Sequence, residues 1–174
     1  MAMEKINDII KDTIYDATSI NPRLRIAVRA ILFNENNQIA YLHIVGCDKF
    51  GQRDHLETPG GGVDEGETLE EALKRELSEE LGASVDIIKE VGYIDIEYKL
   101  LNRIDRENYF ICKLNNISSS HQLDYEKELF KGVKWLTMDE ALDYLTNKET
   151  KLVGSMIHHR ERLVLEYIKN NKLV

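Results

Sequence analysis

Residues 61–83 read GGVDEGETLEEALKRELSEELGA, a glycine-rich turn leading into a charged segment whose leucines recur at helical spacing. Thr68 suits an N-cap, Glu70 and Glu71 fall at the positive end of the helix dipole, and Gly82 follows Leu81 as a stop, so the spacing predicts a helix over about 69–81. At about 100° per residue, Leu69, Ala72, Leu73 and Leu77 form one stripe; Glu76 and Glu80 project from that stripe and Glu79 lies at its edge. A charged helix ordinarily presents a solvated face. Here three carboxylates beside apolar surface repel one another and lose hydration, so something positive must compensate them. Arg75 can serve one of them. For the others Mg²⁺ is the natural partner, because it prefers carboxylate oxygen and keeps waters and substrate phosphates in its remaining positions.

Just upstream, Pro59, Gly60, Gly61 and Gly62 have little side-chain bulk and can adopt positive φ, so their backbone can approach a bound phosphate chain. Before them, the polar passage GCDKFGQRDHLE (residues 46–57) reads as loop. LRIAVRAILF (24–33) and IAYLHIV (39–45), separated by the turn NENNQ, read as a β-hairpin. Ile6, Ile9, Ile10 and Ile14 are spaced like one face of a short helix over residues 3–16, which INPR would stop. After the central helix, SVDIIKEVGYIDIEYKL and ENYFICKL are strand-like and NNISSSHQL is a polar loop. GVKWLTMDEALDYLTN reads as a strand followed by a helix capped by Thr137 with Glu140 three residues on. A last helix, about 155–170, turns Met156, Leu163, Val164 and Ile168 inward. This mixed order of elements predicts an α/β fold, a sheet covered by helices on both faces.

The chain has 174 residues, the size of one ordinary domain, with neither a repeat nor a linker to divide it, so a single domain over 1–174 is expected. With 23 Lys and Arg against 31 Asp and Glu, the net charge of −8 argues against a nucleic-acid polymer or a membrane surface as partner; a metal-bridged nucleotide stays compatible. Cys47 and Cys112 form no C-x-x-C pair and suit a reducing cytoplasm, and the charges in MAMEKINDIIKD interrupt any signal-like run.

From Gly61 to Ala83 the sequence resembles the Nudix box, G-x5-E-x7-R-E-U-x-E-E-x-G-U with U a bulky aliphatic, carried by Gly61, Glu67, Arg75, Glu76, Leu77, Glu79, Glu80 and Gly82. Ala83 departs from it, standing where a larger aliphatic is expected. The resemblance implies a Nudix-type α/β/α sandwich and a hydrolase that cleaves the diphosphate linkage of a small nucleotide, with Mg²⁺ (or Mn²⁺) as cofactor. It implies Glu76, Glu79, Glu80 and the Gly61 carbonyl as metal ligands, and Glu67 and Arg75 as supports of the loop and helix. Family members often complete the site with a glutamate outside the box; Glu126 and Glu128 are the local candidates, with two exposed loop acids as the equal alternative. Arg53 and His55 could reach phosphates or a base, or could simply be solvated. A homodimer stays open.

In the family it resembles, a proline downstream of the box often marks the ADP-ribose subgroup; none follows the box here, so the resemblance implies a (deoxy)nucleoside triphosphate rather than ADP-ribose or a nucleotide sugar. A non-catalytic nucleotide sensor is disfavoured by the intact carboxylates. An isopentenyl-diphosphate isomerase would need a pocket cysteine, for which Cys47 is the available place. Trp135, Tyr93 and Tyr98 read as packed sheet residues. His158 and His159, adjacent on a helix, cannot face one metal together.

Overall fold

A computed structural model of the protein describes residues 3–118 and 129–174. Its elements are β1 (Arg23–Phe33), β2 (Ile39–Asp48), β3 (Gly51–Glu57), β4 (Gly60–Gly62), α1 (Leu69–Leu81), β5 (Ala83–Tyr98), β6 (Arg103–Ile117), β7 (Phe130–Leu136), α2 (Met138–Asn147) and α3 (Val153–Asn170). The seven strands form one mixed sheet in the order β3-β2-β1-β6-β5, with β4 beside β1 and β7 beside β2. At its centre β1 runs parallel to β6, from Arg23↔Arg103 to Phe33↔Lys113.

Alternation along β1 builds both cores. Val28, Ala30 and Leu32 face α1, where they share a core with its Leu73 and Leu77 and with Phe110 of β6. Ile31 faces the opposite layer with Tyr41, Leu56 and Tyr109, under Met156, Ile157, Val164 and Ile168 of α3. Full burial of a leucine or isoleucine of this kind contributes about 1.5–3 kcal/mol, so the two apolar faces of the sheet fix the layers. The expected α/β/α sandwich is the fold observed.

Three local expectations change. Residues 3–16 are not helical: they run extended along the edge of β5, with Ile6 N–H donating to the Tyr93 carbonyl (2.9 Å) and Ile10 N–H to that of Asp95 (2.9 Å). A helix this short is marginal alone, whereas an open strand edge offers unpaired backbone groups, and Ile6, Ile10 and Ile14 still reach the core. The passage 46–57 is not loop either, since β2 continues to Asp48 and pairs with β3 from Leu42↔Glu57 to Asp48↔Gly51. Finally, β1 and β2 pair only at Phe33↔Ile39. Beyond that point they part, and β4 takes the place beside β1 while β7 and β3 flank β2. Among the described residues no helix is long and apolar enough to cross a membrane.

Candidate active site

Where β1 and β2 diverge, a cleft of about 1350 Å³ is lined by β1, β2, β3, the glycines of β4 and the acidic side of α1. Helix α1 begins at a complete capping box, Thr68 accepting from Glu71 N–H and Glu71 from Thr68 N–H, and ends at Gly82 in the left-handed conformation (φ 61°). Ala72, Leu73, Leu77 and Leu81 bury its inner stripe, which turns Glu76, Glu79 and Glu80 to the cleft.

Arg75 compensates more of the acids than the single one expected of it. Its guanidinium donates to both carboxylate oxygens of Glu67 (2.8 and 2.9 Å), to Glu76 (2.8 Å), to Glu79 (3.4 Å) and to the Gly62 carbonyl (2.8 Å). One side chain thereby ties the helix to the loop that precedes it. The Arg75 hydrogen bond, helped by Asp64 N–H, holds the Glu67 carboxyl down at about 2.

The glycines are required by close approach. A Cβ on Gly61 would lie 2.5 Å from the Glu76 carboxylate, and one on Gly60 (φ 142°) 2.0 Å from the Val28 carbonyl oxygen. Gly60 N–H donates to Glu80 (2.8 Å), its one hydrogen-bond donor among the described residues. Burial pushes the Glu80 carboxyl well above its ordinary range; Arg29 and the Gly60 N–H oppose this, while the charges of Glu57 and Glu76 add to it. Among the described residues no three acidic, imidazole or thiolate groups already converge on one point; Arg75 donates to both Glu76 and Glu79. The donor set is nonetheless hard oxygen, and burial with the charges of Glu57 and Glu76 disfavours ionisation of Glu80, a cost that a bound cation would relieve. Both features fit a hard divalent cation.

Behind this wall lies a buried ionic network that spacing along the chain did not disclose. Arg29 donates to Glu107 (2.9 Å) and to the Thr58 carbonyl (2.9 Å), and Arg160 of α3 pairs with Glu107 (3.2 Å) and Glu161. Glu57, lining the cleft, lies 3.8 Å from each arginine. Burial works against the Glu107 charge, but Arg29 and Arg160 hold its carboxyl at about 2. A usable signal was present: Arg29 interrupts an apolar strand, and Arg160 and Glu161 fall among the inward residues of the last helix.

Arg53 lines the cleft and pairs with Asp48 (2.7 Å). Arg25, not singled out beforehand, also lines it, anchored on Asp105 (3.0 Å) and resting against Gly62. His55 and His158 are buried side by side, ring centroids 6.4 Å apart, while His159 points outward. Cys47 is exposed and outside the cleft lining, which removes the residue an isomerase would need. Trp135 and Tyr93 are part-buried in the sheet and Tyr98 is buried. Glu126 and Glu128 lie outside the described residues.

A family model described as NUDIX domain matches residues 23–155. The chain is 30% identical over 116 residues to an RNA pyrophosphohydrolase of Sulfurovum, covering 62% of this chain and 74% of that protein. It is 56% identical over 39 residues to the mouse oxidized purine nucleoside triphosphate hydrolase, a match covering 22% of this chain and only 25% of the mouse protein. The solved NUDIX hydrolase from Nitrosomonas europaea shares the fold with a TM-score of 0.62 at 18% identity, over 87% of this chain and 90% of that one.

Proposed function

Because the chain belongs to the NUDIX domain family of hydrolases, we propose that it cleaves the diphosphate linkage of a small nucleotide, with a nucleoside triphosphate as its preferred substrate. In this reading Mg²⁺ or Mn²⁺ is held by Glu76, Glu79, Glu80 and the Gly61 carbonyl. The observation that carries it is the row of Glu76, Glu79 and Glu80 along the cleft wall, with Gly60 N–H as the one donor to Glu80 among the described residues. When bound, the cation neutralises phosphate charge and lowers the pKa of an attacking water.

The chain's own residues do the rest. Arg75 keeps Glu76 in place and locks Gly62 and Glu67 to the helix, so the glycine backbone from Gly60 to Gly62 can lie along the phosphate chain. Arg53 and Arg25 meet its remaining anionic oxygens. Glu126 or Glu128 would take the proton from the attacking water. The name of the mouse relative, a nucleoside triphosphate hydrolase, favours a triphosphate over ADP-ribose or nucleotide sugars. The two free cysteines suit a cytoplasmic setting.

A panel of nucleoside triphosphates, ADP-ribose and nucleotide sugars, assayed with Mg²⁺ and with EDTA, tests the reading. The expected result is Mg²⁺-dependent release of a nucleoside monophosphate, fastest from a triphosphate. Activity confined to phosphomonoesters, or surviving chelation, would overturn it.

A further inference from the structure

The N-terminal segment reaches from the edge of β5 to the turn between β2 and β3, next to Asp48, which lines the cleft. Asp12, 1% exposed, accepts backbone N–H bonds from Ile14 (3.1 Å), Tyr15 (3.1 Å) and Lys99 (2.9 Å), which fixes the end of the segment. Tyr15 is thereby delivered to the turn between β2 and β3. Its hydroxyl donates to the Phe50 carbonyl and accepts from Val153 N–H (3.2 Å), the first residue of α3, whose N-cap residue Leu152 supplies no capping side chain. The Tyr15 ring meets Phe50 edge-on at 5.8 Å, and Phe50 is held likewise against Tyr98 at 6.0 Å.

The guanidinium of Arg53 lies 4.9 Å from the Phe50 ring centroid. Asp48 joins the two, accepting from Phe50 N–H (2.9 Å) and pairing with Arg53 (2.7 Å). The Arg53 side chain is 14% exposed, lines the cleft, and has no partner at Nε among the described residues. A long cationic side chain is thus held on an aromatic platform, and that platform is fixed by the N-terminal segment.

We propose that residues 4–15 form a strap that sets the position of Arg53 through Phe50, with Tyr15 as the positioning residue, so that Arg53 meets the substrate's phosphate oxygens already ordered. The proposal rests on the reading of the cleft as a nucleotide polyphosphate site. Its physical basis is entropic: an arginine held in place before binding loses less rotamer freedom when the anion arrives. An interaction made equally in the ground and transition states changes KM and leaves kcat nearly constant.

Steady-state kinetics with dGTP and Mg²⁺, together with calorimetric binding of inorganic pyrophosphate with Mg²⁺, test it on the full chain. Arg53→Ala should raise KM and the pyrophosphate Kd by about tenfold or more, as for loss of a charged hydrogen-bond partner. Tyr15→Phe and Phe50→Leu should each raise them by roughly threefold to tenfold with kcat within about twofold. Either change should add nothing when made in Arg53→Ala. Phe50→Leu keeps the apolar bulk of the turn and the α3 cap, so it carries the test if Tyr15→Phe proves unstable. Were Arg53→Ala to leave KM and Kd unchanged, the substrate contact assigned to Arg53 would be wrong and the strap would have nothing to position. If Arg53→Ala weakens binding but the strap changes lower kcat alone, or act as strongly without Arg53 as with it, the strap is merely structural and the inference fails while the reading of the site stands.

Discussion

At Glu80, loss of hydration and the neighbouring charges of Glu57 and Glu76 act in one direction, against ionisation. Glu80→Gln removes that repulsion without changing side-chain volume. Without metal the variant should melt at a higher temperature than the parent, and in Mg²⁺ it should lose on the order of 10²–10⁴-fold in turnover; melts in EDTA and initial rates in Mg²⁺ check both halves. Arg160 presents the opposite case, a fully buried cation shared by Glu57, Glu107 and Glu161. Arg160→Met leaves Glu161 without its cation and Glu57 and Glu107 with Arg29 alone, and should cost about 3–5 kcal/mol in urea unfolding. A cost under about 1 kcal/mol would mean that water reaches the network. The carboxylates of α1 were legible because helical geometry places them from sequence spacing alone. Arg29, Glu57 and Arg160 were not, since their partners are brought together from strands and a helix distant along the chain.

Strand β3 and helix α3 meet through His55 and His158, the latter accepting from Leu56 N–H (3.0 Å). Burial is the main cause that lowers both imidazoles to about 4 from an ordinary 6.5. The folded protein therefore resists protonation that the unfolded chain accepts. Stability from these two residues is fully present above pH 6.5 and is lost as pH falls from there towards 4. The slope should approach about 1.4 kcal/mol per pH unit for each histidine. Urea titrations at pH 7 and pH 5 measure it, and His55→Gln should lower the slope by about half. At this scale α1 was readable, because its N-cap, stripe and terminal glycine are all local. The extended course of residues 3–16 was not: isoleucines spaced four apart serve a helix face and an intermittently paired strand alike, and the open edge of β5 decides between them.

For the molecule as a whole, cation binding at the proposed site would be linked to folding, because the oxygen donors of the cleft are assembled only when α1 packs on the sheet. Mg²⁺ at about 100 times its Kd should stabilise the fold by about 2.7 kcal/mol, seen as a rise in melting temperature that Glu79→Gln and Glu80→Gln each reduce. An unchanged melting temperature across a wide Mg²⁺ titration would count against the metal assignment. By itself the sequence determined the α/β class, the limits of the central helix, the side of it that carries the acids, and the glycine run that must lie close to them, since each follows from helix period, capping and backbone freedom within a few residues. Only the tertiary structure decided which strands lie beside β1, that β2 parts from it to open the cleft, that Arg29, Glu57, Glu107 and Arg160 form one buried network, and that the N-terminal segment ends against Phe50. Those outcomes depend on which buried faces and open strand edges meet across the fold, and a linear pattern of apolar and charged residues leaves that pairing unspecified.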